Sequence, residues 1–306
     1  MNAQQIKIIS VNLSAIRNQP KKQVSKLLVS RKGVDGDGDT DYWNREISVL
    51  SKEVYTDLGE EYGFWGENIT VEGMDLTQLK PMDCLISDEV RLKVTITAHT
   101  VKSDSLIRFH QSGPKDIPIG GLFVRAQKEA VLQSGMVLKF KPKVIRITIL
   151  TLSDRASAGI YEDKSGALIE QMSTEFFTKT NRLFHIEKFI IPDEKADLEQ
   201  HLIRAFENKT DLLFTTGGTG IGKRDITPEV VKPHLDKEIT GIMELIRVKY
   251  GMEKPNALIS RSIAGVKDKT LVYCLPGSSK GVQEYLTEIF PTVYHSLYML
   301  HDIQLH

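Results

Sequence analysis

The chain has 306 residues, 41% of them hydrophobic and 26% charged, with 40 basic and 40 acidic side chains. This is a globular composition at a length that usually makes two domains, and it excludes fibrous repeats and wholesale disorder. Cut after Lys143, the halves carry 20 basic and 18 acidic residues, then 20 and 22, so neither has the basic excess of a nucleic-acid surface.

No run approaches the roughly 20 apolar residues of a membrane span. The two cysteines, Cys84 and Cys274, lie in apolar runs, and MNAQQIKIIS lacks the basic-then-apolar order of a secretory signal. The expectation is a soluble, cytoplasmic protein with neither membrane nor nucleic acid as partner.

In chain order, the first half reads as short apolar runs divided by turn residues: IKIISVNL, KLLVS, EISVLS, ENITVEG, DCLIS, RLKVTITAHTV, GLFVRAQ and GMVLKFK. Many short strands with Gly and Asp between them predict a mostly-β barrel over residues 1–143, with one helix expected in SVLSKEVYTDLGEEYG. After KPK, at Lys141 to Lys143, the pattern changes. VIRITILTLS is a continuous apolar run, as a strand buried on both faces requires. DKSGALIEQMSTEFF, with Leu168, Ile169, Met172 and Phe176, and EKADLEQHLIRAF, with Leu198, Leu202 and Phe206, follow at helical spacing. Then come the strand DLLFTT, helices around Pro228–Leu235 and Ile239–Tyr250, the strand TLVYCLP and a last helix from Lys280. Alternation of strand and helix predicts an α/β domain over residues 144–306, three layers around a mainly parallel sheet.

Ligands of such sheets bind beyond the carboxyl ends of the strands. Four segments sit there: SDRAS (Ser153 to Ser157), IPDE (Ile191 to Glu194), TTGGTG (Thr215 to Gly220) and LPGSS (Leu275 to Ser279). A shared pocket accounts for four segments rich in Gly, Ser, Thr or Asp better than four independent turns do. Gly217, Gly218 and Gly220 let successive backbone N–H groups approach phosphate oxygens. From Gly217 the chain reads GGTGIGKR, the pattern of a phosphate loop in all but its last position, where Arg224 replaces the magnesium-binding hydroxyl. The following helix is expected to start at Thr227 as N-cap with Pro228 in its first position, too late for a phosphate loop. The stretch is therefore a different glycine loop, with Asp225 as a carboxylate that could hold magnesium or orient an attacking oxygen.

Taken together, TTGGTGIGKRDITPE, LTLSDRASAGIYEDKSG, IPDE, LISR and LPGSSKGV resemble the MogA/MoaB family of molybdopterin adenylyltransferases, also found as a domain of gephyrin. The resemblance spans about Val144 to His306. It implies a commonly trimeric domain that uses ATP and Mg2+ to adenylylate molybdopterin and releases pyrophosphate, ahead of a molybdenum-insertion protein or molybdoenzyme client. Asp193 and Asp225 match the two acidic positions such enzymes need, as catalytic and metal-holding residues. Thr216, Gly217, Gly218, Thr219 and Gly220 match the phosphate cradle. Ser153, Asp154, Arg155, Ser260, Arg261, Pro276, Gly277 and Ser278 fall where the family lines its pocket, and Ser279 replaces a frequent proline. A non-catalytic molybdopterin carrier is the alternative, and a relative acting on another nucleotide a third reading.

In the first half, GVDGDGDTDYWNREISVLSKE, GENITVEGMDL and RLKVTITAHTV resemble the MOSC domain. The resemblance implies a barrel with a pterin-cofactor pocket, with Trp43, Arg45, Glu67, Asn68 and Thr70 at or near its motif positions. Val101 stands where sulfur-transferring members have cysteine, Cys84 lies too early, and Asp39 replaces a frequent histidine that His99 alone does not substitute. Pterin binding without sulfur transfer is the expectation.

Overall fold

The computed structural model describes residues 4–17, 19–39, 46–55, 61–97 and 121–303. They form two compact units, one running to Lys143 and taking in Asp302, the other Val144–His301.

The strands of the first unit are β1 (Gln5–Leu13), β2 (Lys22–Gln23), β3 (Leu27–Ser30), β4 (Gly33–Val34), β5 (Ile47–Ser51), β6 (Ile69–Glu72), β7 (Cys84–Ile86), β8 (Arg91–Thr97), β9 (Gly121–Ala126), β10 (Ala130–Leu132) and β11 (Val137–Lys141). Seven of them close into a barrel in the order β11-β7-β8-β9-β5-β6-β1, the β1–β11 pairing sealing the edge. Register shifts at Ile8/Ser10 and Val94/Ile96 supply the local bends that closure needs. Alternating side chains such as Ile6, Ile8, Val49, Val71, Leu92, Val94 and Val124 fill the interior. The helix expected in SVLSKEVYTDLGEEYG is not formed over its described part. Ile47–Ser51 is a wall strand, and only a 3-10 turn follows at Lys52–Tyr55, because β5 is needed to hydrogen-bond both β6 and β9.

A polar network is also buried in this unit. Lys21 Nζ lies 2.8 Å from both carboxylate oxygens of Asp37, and the two side chains are 1% and 2% exposed. Asn68 Nδ2 and the Asp39 N–H also donate to Asp37. Two charges buried together hold only while each has its partners.

The second unit contains β12 (Ile145–Leu152), α1 (Asp154–Ser157), α2 (Lys164–Lys179), β13 (Phe184–Ile191), α3 (Lys195–Glu207), β14 (Leu212–Thr216), α4 (Thr227–Val231), β15 (Lys237–Glu238), α5 (Thr240–Glu253), β16 (Ala264–Lys267), β17 (Thr270–Leu275) and α6 (Ser279–Leu300). Its sheet order is β13-β12-β14-β17-β16-β15. The first four strands are parallel, but β16 pairs antiparallel with both of its neighbours, β17 and the edge strand β15. The sheet is thus mixed, which corrects the expectation of a mainly parallel one. The tight β16–β17 hairpin, turning at Asp268 with a φ of 52°, reverses the chain without a helical crossover. On one face Leu198 and Leu202 of α3 and Val230 and Val231 of α4 cover Leu150, Leu213, Val272 and Cys274. On the other, Phe214, stacked with Tyr273, meets Phe290 of α6, which stacks on Phe176 of α2. No helix among the described residues is long and apolar enough to cross a membrane.

Replacing Lys21 with Met leaves Asp37 buried without its cation. The expected loss is about 3 kcal/mol of barrel stability, read as a shifted denaturant midpoint, whereas Lys52→Met at the exposed Glu72 pair leaves the midpoint in place.

Candidate active site at the carboxyl edge of the sheet

Parallel register brings four strand ends level. Leu152 pairs with Ile191, Thr151 with Thr216, and Thr216 with Leu275. The chain segments that follow, containing Ser153, Asp193, Gly217 and Pro276, therefore emerge on one edge.

The glycine loop turns there under tight restraint. Gly217 has a φ of 100°, and a Cβ on it would lie 2.4 Å from the Leu152 carbonyl oxygen. Gly218, at 62°, would place one 2.5 Å from Thr227 Oγ1. Thr216 Oγ1 donates to the Pro276 carbonyl at 2.7 Å, and a Cβ on Gly277 would lie 3.3 Å from Gly217 Cα. Thr227 does not act as the expected N-cap. It is the first helical residue after Ile226, and its hydroxyl donates instead to the Gly217 carbonyl at 2.8 Å. The carbonyls of Gly218 and Thr219 accept from the N–H groups of Thr227 and Arg261. Among the described residues, no protein acceptor takes the N–H groups of Gly218, Thr219 and Gly220, which leaves three successive donors for an anion.

Beside this loop the acidic residues interlock. The Asp154 N–H donates to Asp193 Oδ2 at 3.1 Å, and the Asp193 N–H donates to Asp154 Oδ1 at 3.0 Å. Arg224 donates through Nη2 to both oxygens of Asp154 at 2.7 Å and through Nη1 to Glu194 Oε1 at 2.8 Å. The Asp193 N–H and the Arg224 guanidinium hold the Asp154 carboxyl below its usual range. Burial, then the charges of Asp154 and Asp225, push Asp193 up against the opposing effects of the Asp154 N–H and Arg224. Asp225 Oδ2 accepts the Gly222 N–H at 2.7 Å. The two carboxylates singled out in the sequence are thus near enough to repel each other.

Other expected pocket residues have structural duties. Ser153 caps α1 by accepting the Ala156 N–H at 3.1 Å, and Ser278 caps α6 through the Gly281 N–H at 3.2 Å. Arg261 braces the loop, donating to the carbonyls of Gly220 at 2.6 Å and Asp225 at 2.8 Å and pairing with Glu229. Ser260 Oγ is shared with Ser262 and Tyr285, both at 3.0 Å. Arg155 lies over the Tyr161 ring, 5.5 Å from its centroid. Two residues not singled out also matter. Asp163 caps α2 through Gly166 and accepts from Thr151 Oγ1 at 2.7 Å, and an Asp ahead of KSGAL is itself an N-cap signal. Glu194 closes the IPDE stretch, and its pairing with Arg224 depends on two loops meeting, which no local pattern signals.

In the barrel, Glu67, Asn68 and Thr70 turn inward. Glu67 Oε1 accepts from Tyr55 Oη at 2.5 Å and from Gly63 N and Thr70 Oγ1 at 2.7 Å. Asn68 Oδ1 accepts from Ser48 Oγ at 2.9 Å. Asp39 lies 3.5 Å from Lys21 Nζ. Burial pushes the Cys84 thiol up, away from a reactive thiolate. Trp43, Arg45, His99 and Val101 lie outside the described residues.

Residues 148–295 match the family model described as "Probable molybdopterin binding domain". The chain is 41% identical over 152 residues to the molybdopterin adenylyltransferase of Helicobacter pylori strain J99, covering 85% of that protein and 49% of this one. This chain belongs to the molybdopterin-binding domain family. The molybdopterin adenylyltransferase of Escherichia coli K12 is 36% identical over 143 residues, 72% of its length and 46% of this chain. Molybdenum cofactor biosynthesis protein B of Bacillus cereus is 35% identical over 167 residues, 95% of its length and 53% of this chain.

A titration followed by carboxyl 13C shifts is expected to place Asp154 below the ordinary Asp value of 3.8 and Asp193 above it. The stability due to Asp154 is present above pH 3.8 and is lost as pH falls through its lowered value. Asp193 acts oppositely: its contribution is full below 3.8 and is lost as pH rises through its raised value.

Proposed function

We propose that the protein is a molybdopterin adenylyltransferase of molybdenum cofactor biosynthesis. The observation that carries this is the free amide triplet of Gly218, Thr219 and Gly220 beside Asp193 and Asp225, in a chain whose relatives bear that name. A terminal phosphate oxygen of molybdopterin attacks the α-phosphorus of ATP. The new P–O bond forms as the bond to the β-phosphate oxygen breaks, and pyrophosphate leaves. Such a displacement needs alignment and charge neutralisation rather than a covalent side chain. The glycine-loop amides hold phosphate oxygens, Thr216 and Pro276 keep the loop in place, and Arg261 fixes its far end from Gly220 to Asp225. Ser153, Asp154, Arg155, Ser260, Gly277 and Ser278 border the same pocket.

The donor set fits Mg2+. Among the described residues no cluster of three or more His, Cys, Asp or Glu could enclose a metal, but two mutually repelling carboxylates suit an ion that keeps waters and takes further oxygens from phosphates. Asp193 and Asp225 would hold it, and it would neutralise charge on the phosphates.

The first unit is read as a MOSC-type barrel that binds the pterin cofactor without sulfur transfer, a reading supported by its closed barrel and its raised Cys84 thiol. We further propose a cytoplasmic homotrimer that delivers its product to a molybdenum-insertion protein or molybdoenzyme client. Support for self-association is the exposed apolar row Leu245, Val248 and Met252 on α5. Light scattering of the intact chain should give three times the monomer mass, and Val248→Glu should lower it.

With molybdopterin, ATP and Mg2+, the protein should form adenylylated pterin and pyrophosphate. Asp193→Asn and Asp225→Asn should each slow turnover about 100-fold or more. Pterin binding without turnover, unchanged in both variants, would instead identify a carrier.

A further inference from the structure

Two arginines flank the glycine loop and are held in different ways. Arg261 is anchored by two main-chain carbonyls, Gly220 and Asp225, as well as by Glu229, so moving it would undo the loop. Arg224 is held only by side chains, Asp154 and Glu194. All three are about half exposed, at 55%, 48% and 57%. Ion pairs of that exposure are weak and exchange readily, whereas the guanidinium fork suits phosphate as well as it suits carboxylate. The surroundings also favour an exchange. Asp154, Asp193, Glu194 and Asp225 gather four carboxylates near one guanidinium, beside the free amides of residues 218–220. A polyanion arriving there meets net negative charge unless a cation turns toward it.

We propose that Arg224 is an exchangeable clamp for the nucleotide: its guanidinium leaves Asp154 and Glu194 for phosphate oxygens of the bound nucleoside triphosphate, so that Glu194 competes with substrate and sets its affinity. This rests on the adenylyl-transfer reading of the site. It assigns Arg224, which replaces the hydroxyl of a true phosphate loop, a direct contact with substrate. It also gives Glu194 a role opposite to that of a ligand-binding residue. The pairing that loosens on binding ties the loop after β14 to the loops after β12 and β13, so nucleotide binding frees the first from the other two, which Asp154 and Asp193 continue to join.

The test is a double-mutant cycle on the full chain, measuring equilibrium binding of Mg-ATP by calorimetry without molybdopterin. Arg224→Gln should weaken binding about 10- to 100-fold, the range for losing hydrogen bonds to a charged group. Arg224→Lys should recover only part of the loss, because it keeps the charge and loses the fork. Glu194→Gln should tighten binding about threefold, the scale of an exposed pair, and that gain should vanish in the Arg224→Gln background. A gain of equal size in both backgrounds would reduce Glu194 to bulk charge and overturn the proposal, as would no gain from Glu194→Gln alone. If the unaltered chain binds no Mg-ATP, the nucleotide reading of the site fails first and the clamp with it.

Discussion

At Gly217 the backbone leaving β14 passes so close to the end of β12 that a Cβ would sit 2.4 Å from the Leu152 carbonyl oxygen, and its φ of 100° suits glycine alone. Everything at the carboxyl edge is arranged around that close approach. Thr227 fastens its hydroxyl to the Gly217 carbonyl, Gly277 comes up against its Cα, and Arg261 ties down the chain beyond it. With their carbonyls committed elsewhere, Gly218 and Thr219, along with Gly220, keep their N–H groups for an anion. The phosphate-cradle role proposed for the loop thus rests on backbone geometry that packing imposes.

The acidic side of the site follows a different logic. Asp154 and Asp193 exchange side-chain-to-backbone hydrogen bonds across two loops, so neither can be placed without the other. The exchange holds them close, and Asp225 adds a third negative charge to the neighbourhood. Asp154 is compensated by Arg224, but Asp193 has its charge opposed by burial.

The barrel handles buried polarity in the opposite way. Lys21, Asp37 and Asn68 pair with one another inside the unit, and Glu67 Oε1 accepts from Asn12, Tyr55 and Thr70, so Glu67, Asn68 and Thr70, which the MOSC resemblance sets at a pocket, are all hydrogen-bonded to neighbouring protein groups. GENIT is legible as a special segment in the sequence, since Glu and Asn beside apolar strand residues are unusual. Whether such side chains face a ligand or the interior depends on the direction of the pleat and on how the barrel closes, and neither is written in local pattern. The same limit explains SVLS at the start of the expected helix, where local pattern yields to the hydrogen bonds that β5 gives to two neighbours.

The sequence by itself determined the change of architecture near Lys143, the apolar runs that became β12, β14 and β17, the helices carrying Ile169 and Leu202, and the glycines and carboxylates that follow the strands. Those features depend on residue type and short-range periodicity, which are local. Only the tertiary structure decided that β16 runs against its two neighbours, β17 and β15, because four-residue and two-residue strands carry too little periodicity to show it. Tertiary structure also decided which arginine is a brace and which is free to move. Arg224 and Arg261 are the same side chain, and their difference lies entirely in whether the acceptors around them are fixed carbonyls or mobile carboxylates from neighbouring loops.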